Sequence, residues 1–354
     1  MLIKYLFHVK QFKRSKAIGF FDEDFRLEKL TKLGDPLVRL ALGIDFELFR
    51  SVLTEKLYVE PKDDGGRPPY DYVLMFKIVI LQRYYNLGDD QIEYQISDRL
   101  SFMRFLKLRL ADNVPDSKTV WNFKERLIDL DLITVLFDLF KSQLEKLGLI
   151  VHEGKITDAS FVEVPKQRNT REENEQIKDN QVPKEWKEKG NENKLEQKDT
   201  DARWTKKNDV SYYGYKNHIK CDQKSKLITG YTVTDASVHD SQPTPELLNA
   251  EDENQALYAD SAYTGADFQK KLLEEKKVIL QVVEKGYRNK PLTDEQKATN
   301  KEKSKTRVRV EHIFGFVENS MNGSFIKTIG IKRAKAIIGL MNLTYNMFRK
   351  VQIA

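Results

Sequence analysis

Three acidic residues stand where the chain passes from a buried run into a turn or onto a half-buried helix. Asp158 follows the apolar start of a strand-like run in ITDAS, and Asp260 ends the short apolar run ALYAD ahead of the small-residue turn SAYTG. Glu311 lies in RVRVEHIFG among Val308, Val310, Ile313 and Phe314. Carboxylates in such places are costly unless they are paired or bound to a metal. Together they suit a hard cation. Magnesium takes oxygen ligands and keeps several waters, so two or three carboxylates plus substrate phosphate oxygens suffice. Two such ions about 3.5–4 Å apart activate a water or a 3′-hydroxyl and stabilise the leaving oxygen of an in-line phosphoryl transfer, with no covalent nucleophile. Singly, each acid has an ordinary role: an Asp at a strand end caps a turn, and a Glu with Arg307 four residues before it forms an ion pair. Asp209, Asp222, Asp235 and Asp240 also fall near strand ends. Asp222 reads as a turn residue, whereas Asp235 in TVTDAS mirrors ITDAS and is the most serious rival on spacing alone.

Other chemistries find little support. There is no glycine-rich phosphate loop, no GxSxG elbow and no HExxH pair. The one cysteine, Cys221, excludes an internal disulfide and a cysteine-based zinc site. It sits within a strand pattern and reads as a small core residue.

The elements that must carry these acids fall into two regions. Residues 1–150 read as helical, with apolar residues at three- and four-residue spacing from Tyr70 onward and a turn with a new helix start at Gly88, Asp89 and Asp90. Another helix begins after Asp116 or Ser117, either of which is a good N-cap. One reading makes this region an all-helical folding unit. A sharper one makes the Ser117 helix the recognition helix of a helix-turn-helix, presenting Lys118, Asn122, Lys124 and Arg126 to DNA. After Gly148 the pattern alternates: a strand through IVHEGKITDASFVEV, a hairpin around Asp222–Ser225, the short strand ALYAD, a helix over Gly265 to Lys277, the strand VILQVV, a helix from about Thr306 and a last amphipathic helix over about Arg333–Val351. A three-stranded antiparallel start followed by parallel strands is one arrangement this order allows; strand order stays open. Between the first strand and the hairpin, 23 of the 45 residues of 165–209 are charged, which reads as a solvated insert with at most one weak helix.

Composition bounds the function classes. The chain has 354 residues with 60 Lys and Arg against 54 Asp and Glu, a formal charge of +6 that permits a polyanionic partner without demanding one. No apolar run is long enough to span a membrane. The N-terminal MLIKYLFHVKQFKRSK is broken by Lys4, His8 and Lys10, so no signal peptide is expected, and a reducing cytoplasm fits the single cysteine.

Six blocks in order, ITDASFVEVPKQRNT, QKDTDARWTKKN, YYGYKNHIKCD, ASVHDSQ, LYADSAYTG and RVRVEHIFGFV, resemble the catalytic blocks of DDE-type transposases of bacterial insertion sequences. The closest resemblance is to the IS-five group of the IS-four-like superfamily. GFFDEDFRLEKLTKLGDPL and the run from GRPPYDYVLMF to SFMRFL resemble that group's N-terminal helical region. The resemblance implies an α/β RNase H-like catalytic domain, a mixed sheet flanked by helices, over 151–354, with an all-α DNA-binding domain over 1–150. It also selects Asp158, Asp260 and Glu311, over Asp235, as the catalytic and metal-holding triad. The family's helix signature of Tyr, Arg, Glu and Lys is met by Arg307 and Glu311, while Ser304 and Glu318 stand at the Tyr and Lys positions.

Two basic regions then gain a role. Lys285–Arg309 carries nine basic and three acidic residues and leads into the Glu311 helix. Arg203 and Trp204, with Lys206 and Lys207, pair an aromatic with cations and suit a splayed nucleotide. The expected DNA contacts are Lys118, Asn122, Arg126, Arg203, Trp204, Lys206, Lys207, Lys216, Arg307, Arg309 and His312; His239 is a weaker candidate. The expected activity is cleavage at the terminal inverted repeats of an insertion sequence and transfer of the freed strand into target DNA. It would use two Mg2+ ions, with Mn2+ as a substitute, and a homodimer would hold the paired ends. The expected location is the bacterial cytoplasm, on the nucleoid when bound, with no membrane partner. The departures at Ser304 and Glu318 motivate a second reading, a catalytically impaired DNA-binding repressor. A third is an RNase H-like nuclease.

Overall fold

The computed structural model describes residues 19–60, 68–188, 190–263, 265–286 and 291–353. The signal-peptide reading of the N-terminus, and the parts of the basic stretch at 287–290 and of the family blocks at 66–67 and 264, lie outside them.

Among the described residues, the first half folds into eight α-helices: α1 (Asp22–Lys32), α2 (Pro36–Gly43), α3 (Arg50–Leu57), α4 (Tyr72–Tyr84), α5 (Asp89–Asp98), α6 (Leu100–Leu106), α7 (Ser117–Asp129) and α8 (Leu132–Lys146). Local chemistry sets their starts. Asp71 caps α4 by accepting from Leu74 N at 2.9 Å, and Asp116 caps α7 by accepting from Thr119 N at 2.7 Å. Of the two cap candidates for α7, Asp116 is therefore the one used.

The second half opens on β1 (Lys155–Glu163), then α9 (Arg171–Lys178), α10 (Glu192–Glu196), β2 (Arg203–Lys207), β3 (Val210–Asp222), β4 (Ile228–Asp235), α11 (Thr244–Leu247) and β5 (Ala256–Ala259). It closes with α12 (Ala266–Lys276), β6 (Ile279–Val282), α13 (Asp294–Arg307), α14 (Glu311–Met321) and α15 (Ile331–Ile353). The sheet runs β2-β3-β1-β5-β6, with β4 also on β3. β1 is antiparallel to β3 from Lys155↔Asp222 to Glu163↔Gly214, and β4 is antiparallel to β3. β5 is parallel to β1, and β6 is parallel to β5. An antiparallel start followed by parallel strands, with helices packed on the sheet, fits an RNase H-like α/β fold. The strand ALYAD becomes the fifth rather than the fourth, because β2 forms inside the charged insert.

That insert is folded, against the expectation of a solvated segment. Trp186 is fully buried and donates its indole N–H to Glu173 Oε1 at 2.6 Å. Asp199 is buried and accepts from the Tyr215 hydroxyl at 2.8 Å, and Asp201 accepts from the Ile331 backbone N–H at 2.9 Å. A buried carboxylate is tolerable when such donors surround it. Most of its charged side chains are exposed, while Asp199 and Asp201 tie the insert to the sheet and to the start of α15.

α15 is more deeply buried than an amphipathic reading allows: every residue from Ile338 to Phe348 is inside. One face meets β4 and the other meets α8, α4 and α2. Two of its buried asparagines are hydrogen-bonded to the sheet. Asn342 exchanges amide hydrogen bonds with Asn217, and Asn346 bonds both the N–H and the carbonyl of Ile228 at 2.8 Å. The apolar core is continuous from Leu37 in α2, through Phe76 and Leu136, to Ile219 in the sheet and Phe348 in α15.

Candidate active site

The parallel register sets Ile156 of β1 against Tyr258 of β5. Continued two residues past its last pair, this register would set Asp158 against Asp260, just beyond the end of β5, and the Asp260 charge is among those that raise the Asp158 carboxyl. Neighbouring strands lie about 4.8 Å apart, so the two carboxyls share one end of the sheet. Each accepts one backbone N–H, Asp158 from Ala159 at 2.8 Å and Asp260 from Ser261 at 2.6 Å. Burial pushes the Asp158 carboxyl up to about 6; the Ala159 N–H and Arg307 pull it down, and the negative charges of Asp240 and Asp260 add to the rise. Two adjacent oxygen donors carrying more negative charge than their surroundings compensate have the chemistry of a hard-cation site.

Glu311 arrives by a different route. α13 ends at Arg307, a 3-10 turn spans Val308–Val310, and α14 begins at Glu311. Val310 is fully buried and pins this turn into the core, while Arg309 donates to the Gln223 carbonyl at 3.0 Å, tying the turn to the β3–β4 hairpin. Arg307 then bridges the acids: its Nη1 stands 3.5 Å from Asp158 Oδ2 and its Nη2 donates to Glu311 Oε1 at 3.0 Å. The Glu311 side chain is 55% exposed and rests on Arg307. Thus Asp260 lies near enough to raise the Asp158 carboxyl, and Glu311 is linked to Asp158 through a guanidinium. Among the described residues no three His, Cys, Asp or Glu side chains are grouped closely enough to hold an ion.

Three of the four rival carboxylates are engaged elsewhere, and the fourth, Asp240, lies beside the site. Asp235 closes its own turn, accepting from Ser237 N at 2.8 Å. Asp222 is buried, accepting from Ser225 N at 2.9 Å and His152 N at 3.1 Å. Asp209 pairs with Lys206 at 2.8 Å. Asp240 pairs with Lys216 at 2.8 Å, close enough to the site to raise the Asp158 carboxyl.

Tyr263 is a neighbour that reading by residue type passed over. It ends the 3-10 turn Ser261–Tyr263 and is buried, and its N–H donates to the Asp260 carbonyl at 3.0 Å. Burial first, and then Asp158, Asp240 and Asp260, push its hydroxyl well above the usual phenol range, so it stays protonated beside the acids. Its place three residues after Asp260 was the available signal.

The expected DNA contacts separate into two groups. Lys118, Asn122, Trp204, Lys206, Lys207 and His312 are exposed. Arg126 donates to the Leu57 carbonyl, and Lys124 pairs with Asp89. Arg203 donates to the Thr200 carbonyl at 2.6 Å and to Asn180 Oδ1 at 2.7 Å. Lys216 is buried, with its ammonium donating to the Val238 carbonyl at 2.7 Å as well as pairing with Asp240. These four cations therefore serve internal contacts in this structure. Of the two departures from the helix signature, Ser304 lies half-buried on α13 and Glu318 is exposed on α14. His239 is exposed, its ring Nδ1 2.8 Å from the Ser241 hydroxyl. No helix of the described residues is long and apolar enough to cross a membrane.

Residues 151–347 match the family described as "Transposase DDE domain", and residues 25–126 match a "Transposase domain (DUF772)". Among solved structures, the piggyBac transposase synaptic complex with hairpin DNA is similar at 13% identity, over 90% of this chain and 74% of that chain, with a TM-score of 0.46. The DDE match alone spans more than half of the sequence, from the strand that carries Asp158 to the helix that closes the core. The chain belongs to the transposase DDE domain family, DNA transposases that cleave and transfer DNA strands with the help of divalent metal.

Proposed function

We propose that Asp158, Asp260 and Glu311 are the catalytic carboxylates of this transposase and that Mg2+ is its metal. We infer further that the helical N-terminal region, residues 1–150, recognises the terminal inverted repeats of an insertion sequence, and that a homodimer brings two ends together before strand transfer into target DNA. The observations that support this reading are the parallel β1–β5 ladder, which ends at Ile156↔Tyr258 two residues short of Asp158 and Asp260, the Asp260 charge that helps raise the Asp158 carboxyl, and Arg307 linking Asp158 to Glu311. Asp158 and Asp260 would hold the ion directly, and Glu311 would join them once free of Arg307. The ion would supply Lewis-acid activation of the attacking water or 3′-hydroxyl and stabilise the leaving oxygen. The protein's own part is to hold these oxygens rigidly at the end of a buried sheet, with the protonated Tyr263 hydroxyl beside them. The exposed Lys118 and Asn122 on α7 support a role for that helix in DNA contact.

A supercoiled plasmid carrying the element's ends tests the reading. The wild-type protein with Mg2+ should nick at the ends and join them to a target, and sizing of the end complex should give two chains. Asp260→Asn should bind the same ends and do neither. Cleavage by Asp260→Asn at the wild-type rate would remove Asp260 from the triad.

A further inference from the structure

Arg307 occupies a position that a surface arginine reaching for a phosphate would not need. Its guanidinium lies between Asp158, at 3.5 Å, and Glu311, at 3.0 Å. It joins the third acid to Asp158. Asp158 is largely buried, and its side chain is 17% exposed; Arg307 is itself only 23% exposed, whereas Glu311 is more than half in water. The glutamate is therefore the mobile partner. It is positioned by one bond from a side chain four residues before it, across the 3-10 turn that Val310 anchors.

A guanidinium and a divalent cation compete for the same oxygens. While Nη2 donates to Glu311 Oε1, that oxygen's charge is already balanced, and an ion beside Asp158 meets two carboxylates and a neighbouring positive charge. A phosphodiester changes this balance. Its two free oxygens match the planar fork of a guanidinium and accept two parallel hydrogen bonds. Arg307, at the end of a helix that is largely exposed, can turn to such a group without disturbing the buried turn behind it.

We propose, resting on the assignment of Asp158, Asp260 and Glu311 above, that Arg307 is a positioning residue that exchanges partners. In the free protein it holds Asp158 and Glu311. When DNA enters, it passes to a backbone phosphate and releases Glu311 to complete the cation site. Arrival of DNA and uptake of a divalent ion are then coupled, and the coupling is reciprocal. A metal-loaded centre forms on DNA and is disfavoured in its absence.

The test measures Mn2+ affinity by electron paramagnetic resonance and calorimetry, on the full chain, with and without a short mixed-sequence duplex. The wild type should bind Mn2+ more tightly with the duplex, by roughly 5–150-fold, the usual span of such coupling. Arg307→Gln should bind Mn2+ without DNA several-fold more tightly than the wild type and lose most of the response to DNA. That gain should vanish in Arg307→Gln/Glu311→Gln, because it comes from freeing Glu311. Arg307→Lys, which keeps the charge and loses the fork, should show a reduced response to DNA, and circular dichroism confirms that each variant is folded. If the gain persists in the double variant, Arg307 acts only as a distant charge and the exchange is refuted. Wild-type affinity indifferent to DNA refutes it as well, without any variant. If Asp158→Asn and Asp260→Asn leave Mn2+ affinity unchanged in every background, the carboxylate assignment itself fails, and the inference falls with it by a separate route.

Discussion

Asp158 spends folding stability to be where it is. Burial raises its carboxyl to about 6, above the value near 4 that an aspartate has in an unfolded chain. A raised acid contributes stability that is complete below the unfolded value and lost as pH climbs through about 6, because the folded state must then hold a buried charge. In metal-free buffer, Asp158→Asn should therefore stabilise the protein at pH 8, by about 1–3 kcal/mol, and leave it unchanged near pH 3.5. Thermal melts at the two pH values check this; an equal effect at both would mean that Asp158 is not strained by its charge. The same property makes the residue useful, since a site poorly compensated in the free protein gains most from a bound cation. Asp158 was legible in the sequence as an acid at a strand end, but so was Asp235. The family resemblance already favoured Asp158, and the fold separates the two physically: Asp235 closes a turn with Ser237, while Asp158 lies near enough to Asp260 for its charge to raise the Asp158 carboxyl.

The elements that aim the site depend on two features that a hydrophobic pattern does not announce. The first is the start of α15, whose Gly330 and Ile331 N–H groups donate to Asp199 and Asp201 of the insert at 3.1 and 2.9 Å. Helix starts leave such donors without intrahelical partners, and a carboxylate there is favourable. Asp201→Ala should cost about 0.5–2 kcal/mol, the usual loss when a helix cap is removed, and should raise hydrogen exchange in both the insert and the first turn of α15. A change confined to the insert would show that the two elements are not joined in this way. The second is Gly339, in the middle of α15, where a glycine is ordinarily a weakness. A Cβ there would come within 2.3 Å of the Tyr231 hydroxyl and 2.9 Å of Ile133 Cγ2. Gly339→Ala should therefore destabilise by about 1–3 kcal/mol, despite alanine's better helix propensity, because the packed neighbours cannot retreat. Equilibrium denaturation gives the sign directly.

At the scale of the whole molecule, the chemistry of the chain changes near residue 150 and the core does not. Leu37, Phe49 and Phe76 of the helical region share one apolar cluster with Ile156 and Ile219 of the sheet, and α15 lies between them. A core shared in this way couples the unfolding of the two regions. The full chain should melt in one calorimetric transition, with equal calorimetric and van't Hoff enthalpies. Two separable transitions would show that the helical region and the sheet are held together by less than this shared core. On the division of labour proposed above, with DNA bound by one region and the carboxylates carried by the other, a shared core would hold the distance between them.

Much of this protein was determined by local sequence alone. The helices of the first half follow from periodicity and caps such as Asp116, the hairpin follows from the turn residues around Asp222, and the acids at strand ends follow from residue type, because each depends on neighbours a few positions away. The blocks from ITDAS to RVRVEHIF were sufficient to suggest the family. Only the tertiary structure decided the rest. Parallel pairing of β1 with β5 brought the ends that carry Asp158 and Asp260 to the same edge of the sheet. A guanidinium came to stand between Asp158 and Glu311. Buried partners for Trp186, Asp199 and Asp201 turned a charged insert into a folded one. Lys216 and Arg126, which look like any surface cation in one dimension, were taken into internal contacts. Each of these rests on which distant group supplies a hydrogen bond or excludes water, and a linear pattern carries no record of that.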